Sequence, residues 1–403
     1  MEFIIDPISA IAAFLRDLLL GWGLSTEFTQ LILFVIGAGI LSVLPMLLTL
    51  GLIWAERKIL GRIADRLGPN RVGPWGIFQS VADMVKIFTK ELITPDGVSW
   101  LPFNLAPVLS MAGVLLLWAV IPFTVSVVGM NLNVGVLYLI AVGGFGTLGF
   151  LFAGVGSHNK YALLGAFRAI AQLISYEIPM AVTLLIPVMF SGSLGMVDIV
   201  EQQSVWYILV SPLGALIFFI SSIAEIGRSP FDLLEADSEL VAGFNVEYSG
   251  LKFGMFYVAD FLHAFTIALV FTTLFLGGWR GPFAQQVPVL GFVYLMLKSL
   301  VVWFVGVWIR GSMPRIRIDH MLNFNWKLLT PLSLALVAVT AITDKLLSAQ
   351  SLPVRTIILL VVNLALFLIT DRLIGIVAGK TDTTVVAPEP YAVQTPGIKE
   401  VPR

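Results

Sequence analysis

Long apolar runs separated by short polar breaks set the pattern of this chain. They occupy residues 30–53, 105–122, 134–156, 161–189, 205–226, 256–278, 288–309, 328–344 and 354–371. A helix needs about 20 such residues to cross ~30 Å of hydrocarbon. The pattern therefore predicts nine spans, or eight if the last run does not cross. Hydrocarbon offers backbone groups no outside partner, so each run has to be helical. The expected fold class is all-α, a polytopic transmembrane helix bundle.

Two segments depart from this pattern. In GIFQSVADMVKIFTKELI (76–93), Ile77, Phe78, Val81, Met84, Val85, Phe88 and Leu92 share one helical face, and Gln79, Asp83, Lys86 and Lys90 share the other. That period predicts an amphipathic helix lying along the membrane surface. The preceding LGPNRVGPWG (67–76) has the Gly and Pro density of a tight, rigid turn. At the N-terminus, residues 1–29 have no basic leader region and are interrupted by Arg16 and Asp17, so they read as an interfacial segment and not as a cleaved signal. The organisation expected is an N-terminal segment (1–29), a transmembrane domain (30–376) and a Pro- and Thr-rich extended tail (377–403).

Composition narrows the chemistry. With 58% hydrophobic and 12% charged residues over 403 positions, the chain is an integral membrane protein. It has no cysteine, so it can hold neither an Fe-S cluster nor a disulfide, and its three histidines have no metal-ligand spacing. No metal is expected here, and any redox metal belongs to a partner. No phosphate loop, nucleophile triad or basic nucleic-acid patch is visible. Alternate loops carry 18 and 4 Lys plus Arg, which puts the set containing residues 54–104 and 227–255 on the cytoplasmic side.

That side also holds the densest run of acids. Ser222 to Gly250 carries Glu225, Asp232, Glu235, Asp237, Glu239 and Glu247 against Arg228 as its one fixed cation. Carboxylates crowded at a membrane edge hinder one another's ionisation, which suits them to proton handling. Glu177 lies inside the fourth run, where a charge costs roughly 2.5–3.5 kcal/mol on insertion scales; it must take up a proton or face a hydrated cavity. Arg168 is nine residues away, near the opposite helical face, so a direct pair between them is not expected. Glu225 and Asp260 bracket the acidic loop and could extend a proton line to Glu177. Asp260 also fits a bland role as a helix N-terminal acid. Glu56, Arg57 and Lys58 alone read as an interfacial charge stop, His263 as a helix-packing residue, and Arg310, Arg315 and Arg317 as topology signals.

Five blocks carry a resemblance: ERKILGRIADRLGPNRVGP (56–74), SHNKYALLGAFRAIAQLISYEIP (157–179), AEIGRSPFDLLEADSELVAGFNVEYSG (224–250), TLFLGGW (273–279) and PRIRID (314–319). Together they resemble the family of the H membrane subunit of proton-pumping NADH-quinone oxidoreductase, respiratory complex I, known in mitochondria as NADH dehydrogenase subunit one. The resemblance implies a component of the inner (cytoplasmic) membrane that holds a quinone tunnel against the peripheral arm. Its substrate would be a quinone, ubiquinone or menaquinone, with no covalently bound cofactor. Its partners would be soluble Fe-S and quinone-site subunits and antiporter-like membrane subunits. Proton coupling would fall to Glu177, Glu225, Asp260, Glu235, Asp237 and Glu239, and the quinone cavity to Glu56, Arg57, Arg66, Asp83, Arg228, Phe231 and Asp232. The chain departs from the family at Ala64 and His320, where Gln is usual, and at Asp237 and Asp260, where Glu is usual. The related subunit of a membrane-bound hydrogenase is the alternative, and the GPNRVGP turn and AGFNVEYSG block speak against it. A stand-alone transporter would show paired inverted halves, which are not visible.

Overall fold

The computed structural model describes residues 6–234, 239, 241–347 and 349–380, with side chains as far as residue 372. In chain order its helices are α1 (Pro7–Gly21), α2 (Thr26–Ile63), α3 (Gln79–Thr89), α4 (Trp100–Trp118), α5 (Gly135–Gly156), α6 (Lys160–Ser191), α7 (Met196–Gln202), α8 (Tyr207–Val210), α9 (Pro212–Ile226), α10 (Gly250–Phe275), α11 (Pro288–Ser312), α12 (Ile318–Phe324), α13 (Thr330–Leu346) and α14 (Leu352–Lys380). Among the described residues the only β pairing is an isolated bridge between Pro122 and Val128. The all-α bundle holds.

Among the described residues eight helices are long and apolar enough to cross a membrane: α2, α4, α5, α6, α10, α11, the continuous α12–α13 run and α14. The run at 205–226 is the exception, because it breaks into α8 and α9. Pro212 has no N–H to donate and its ring disfavours a helical residue before it, so Ser211 leaves the helix at φ −135°. The break is held by side chains. Ser211 Oγ donates to Asn363 Oδ1 of α14 at 3.0 Å, and both residues are fully buried. With 15 residues, α9 is about 22 Å long, shorter than the hydrocarbon layer.

The last run does form a helix. α14 continues to Lys380, into the segment read as tail; residues 381–403 lie outside the described residues.

Prolines inside α6 create openings that other helices fill. Pro179 cannot donate to the carbonyl of Ser175, and Asn325 Nδ2 takes that place at 2.6 Å. Asn325 opens the π turn Asn325–Leu329 that joins α12 to α13, so a helix irregularity on one side meets a freed carbonyl on the other.

Hydrogen bonds between connections gather the loops at two ends. At one end the Ser99 N–H donates to the Gly156 carbonyl (2.9 Å), Asn159 Nδ2 to Glu247 (2.7 Å) and the Ile316 N–H to the Pro230 carbonyl (2.9 Å). At the other, the Met130 N–H donates to Ala119 (2.7 Å) and the Val136 N–H to Leu194 (3.0 Å). These are the same two loop sets that the Lys and Arg count separates.

Candidate functional site

The site grows from α2, which continues ten residues beyond its apolar run to Ile63 and so carries Glu56 and Arg57 past the hydrocarbon stretch while still packed in the bundle. Glu56 is 1% exposed. Arg228 Nη1 donates to its Oε2 at 2.7 Å and Arg310 Nη1 to its Oε1. The second arm of Arg228 reaches Asp260 Oδ2 at 3.3 Å, and its guanidinium lies 4.6 Å from the centre of the Phe261 ring. Burial works against the charge on Arg228, but Asp260 and Glu56 outweigh it and push its pKa up. A buried ion pair adds little net stability, yet losing one partner strands the other. The arrangement therefore fixes geometry more than it holds the fold together.

One glycine puts Arg228 there. Gly227 ends α9 at φ +69°, and a Cβ on it would fall 1.9 Å from Leu234 Cδ1. Only glycine fits both the conformation and the space. The turn is clamped to α6 by Gln172, whose Nε2 donates to the carbonyls of Ala224 (2.6 Å) and Phe231 (2.8 Å).

Three cavities adjoin around these charges. The middle one, about 940 Å³, is walled by Glu56, Arg57, Arg228, Asp232, Asp260 and Arg310 with Phe253, Phe256 and Tyr257. An outer cavity of about 1220 Å³ shares Arg57, Phe253 and Tyr257 with it and lies against the polar face of α3, with Gln79, Asp83, Lys86 and Lys90 in its wall. At the shared wall Arg57 donates to Asp83 (2.5 Å) and to the Tyr257 hydroxyl (3.2 Å), and Gln79 steadies Asp83 at 3.2 Å. The apolar residues Val81, Val85 and Phe88 of α3 are exposed on the outside of the bundle. An inner cavity shares Phe150, Ile226 and Asp260 with the middle one and is lined by Glu225, His263, Thr147 and Ser110. Glu225 Oε2 is buried with no hydrogen-bond donor among the described residues, and Glu225 feels the charge of Glu177 on α6.

The structure brings together Glu56, Arg57, Asp83, Arg228, Asp232, Glu225 and Asp260 around connected cavities, with Glu177 behind Glu225. Other expected positions fall elsewhere. Arg66 is exposed in the turn after α2, and its N–H donates to the Gly61 carbonyl at 2.8 Å. Phe231 is buried against Tyr176, ring centres 5.3 Å apart, away from the cavity walls. Glu235 and Asp237 lie outside the described residues.

Four expectations need correction. α10 starts at Gly250, so Asp260 sits almost three turns inside the helix beside Arg228 and is no N-terminal acid. Crowding does not govern Glu239: the hydrogen bond from Arg168 (2.6 Å) and the nearby Arg315 hold its pKa below the usual carboxylate value. Arg310 and His263, read as a topology signal and a packing residue, both line cavities. The signal for His263 was present in the sequence: Tyr257, Asp260 and His263 form a polar stripe at three-residue steps along an otherwise apolar helix.

Comparison with known proteins bears directly on these residues. Residues 36–341 match the family model described as NADH dehydrogenase. Among curated relatives, the H subunit of NADH-quinone oxidoreductase from Dehalococcoides mccartyi is 45% identical over 313 residues, covering 78% of this chain and 86% of that one. The protein of the same name from Anoxybacillus flavithermus is 44% identical over 318 residues (78% and 95%), and that from Carboxydothermus hydrogenoformans 44% over 325 residues (79% and 92%). Every residue lining the three cavities, from Glu56 to Arg310, lies within the matched segment, and the chain belongs to the NADH dehydrogenase family, whose relatives here carry the name of the H subunit of NADH-quinone oxidoreductase.

Proposed function

We propose that this chain is the quinone-access and proton-coupling membrane subunit of an NADH-quinone oxidoreductase. The observation that carries the reading is the run of adjoining cavities, from the polar face of α3, past Arg57 and Tyr257, to Arg228 and on to Glu225. A quinone has an apolar tail suited to the aromatic walls and carbonyl oxygens suited to the arginines. In this reading quinone moves along the outer and middle cavities toward the loop-rich end, where soluble Fe-S and quinone-site subunits dock and deliver two electrons. Two electrons and two protons convert quinone to quinol, and any lag in protonation leaves negative charge beside the acids. Asp260, Glu225 and Glu177 then carry a proton inward, toward antiporter-like membrane subunits. The excess of Lys and Arg on the acidic-loop end supports its placement on the cytoplasmic side of the cell inner membrane.

The test is Glu225→Gln in the assembled complex. NADH oxidation with an artificial electron acceptor should be unchanged, because it bypasses the quinone. Quinone-linked turnover and proton release should fall at least ~100-fold, the low end for loss of one proton-transfer group. Normal quinone turnover with normal pumping would sink the reading.

A further inference from the structure

Tyr257, Asp260 and His263 climb α10 at steps of three residues, about 4.5 Å each along the axis. Tyr257 opens on the middle cavity, Asp260 on the middle and inner cavities, and His263 on the inner one. His263 thus shares a cavity with Glu225, whose Oε2 is buried and receives no hydrogen bond from the described residues. No described group hydrogen-bonds or pairs with the His263 imidazole either. Two polar groups left open toward the same space, with the hydroxyl-bearing Thr147 and Ser110 in the wall, form a setting that bound water can bridge.

From this geometry we propose that His263 is a proton-carrying residue of the inner cavity, passing a proton from Asp260 to Glu225 through cavity water. The protonated Asp260 carboxyl gives its proton to the imidazole, leaving a carboxylate and an imidazolium. The imidazolium then protonates the Glu225 carboxylate and returns to neutral. The charged groups around it are Glu225 of α9, with Glu177 of α6 behind, Asp260 of its own helix, and Arg228 of the turn after α9. α4 and α5 face the cavity with uncharged Ser110 and Thr147.

The inference rests on the proton path proposed above, and the tests separate the two. In membranes carrying the assembled complex, artificial-acceptor NADH oxidation reports assembly, and quinone turnover and vesicle acidification report coupling. His263→Asn should lower coupled turnover roughly tenfold, less than a direct acid-base loss because water offers a bypass. His263→Gln serves the same purpose should the Asn variant fail to assemble. His263→Gly should recover several-fold on addition of imidazole. Wild-type pumping in His263→Asn would overturn the proposal. So would a slowed His263→Gly enzyme that imidazole does not rescue, since packing would explain it. If Glu225→Gln is also without effect, the whole path is wrong; if only the His263 variants are without effect, the path stands and the histidine does not belong to it.

Discussion

Arg228 and Glu56 should be energetically coupled far more strongly than a surface ion pair. Their contact is 2.7 Å, with Glu56 1% exposed and the Arg228 side chain 9% exposed. At that distance an effective dielectric of 20 gives about 6 kcal/mol of attraction, and full solvent screening would leave about 1.5 kcal/mol. Relaxation around the mutated sites lowers the first figure, and measured couplings for close buried charges run from about 1.5 to 7 kcal/mol. Arg310 stays on Glu56 when Arg228 is removed, and Arg228 stays on Asp260 when Glu56 is neutralised, which leaves Arg310, 31% exposed, to solvent. The expected coupling in the cycle Arg228→Met, Glu56→Gln and the double variant is therefore about 3 kcal/mol. Because the natural chain has no cysteine, one thiol placed at the buried Ser299 gives a clean unfolding probe. Labelling of that thiol against denaturant, in purified chain held in mild detergent, gives the four stabilities. Additivity within ~0.5 kcal/mol would refute the reasoning, because it would mean that water reaches the pair.

Three further outcomes follow from the same geometry. A Cβ at Gly146 meets nothing within 4 Å, and Gly146 lines the inner cavity, so Gly146→Val should fill space that water would use and slow proton-coupled quinone turnover several-fold without destabilising the chain; faster or unchanged pumping would show that the cavity carries no protons. Glu239 has a depressed pKa in the folded chain, so its tie to Arg168 is complete above the usual 4.5 and is lost as pH falls through the lower folded value; hydrogen exchange of the segment 228–242 should rise across that interval, and Glu239→Gln should remove the transition. Arg228→Lys keeps the charge but not the fork that spans two carboxylates, so protons pumped per electron should fall more than quinone reduction does, and an equal fall in both would count against that role for Arg228.

The spans were legible because apolar length and helical period are properties of the sequence alone. The amphipathic α3 was legible for the same reason, as was the sorting of loops into two ends by charge. Pro212 marked a break that the apolar composition of 205–226 concealed, because a hydropathy window averages over the one residue that lacks a donor. Partners across the bundle were harder. Nothing near Glu56 in sequence points to Arg228, 172 residues away, or to Arg310, 254 away, and only the packing of α2, α9, α10 and α11 brings the three together. Arg310 passed for a topology signal because a cation at a helix end satisfies the positive-inside rule whether or not it turns inward. Glu239 was misjudged for a related reason: counting charges along the loop omits Arg168 and Arg315, which come from other elements.

A chain of acids is a relay only if something tells it when to move, and the two contacts of Arg228 identify where that signal can enter. Its grip on Glu56 is short and buried, whereas its contact with Asp260 is 3.3 Å and that carboxylate side chain is 42% exposed. An anion arriving in the middle cavity competes for the guanidinium, and the partner that yields is the one held at longer range and in contact with the cavity. At about 10 Å and an effective dielectric near 20, one unit of negative charge also adds roughly 1.7 kcal/mol of repulsion on a carboxylate, about 18-fold in proton affinity. The two effects have the same sign at Asp260, which loses counter-charge as repulsion rises, and in the proposed path this carboxylate is the one that receives the proton. Glu56 keeps Arg310 throughout and so remains the anchor of the cluster. In the proposed path directionality comes from the walls, since Asp260 is the one described acid shared by the middle and inner cavities, with Glu225 on the inner side.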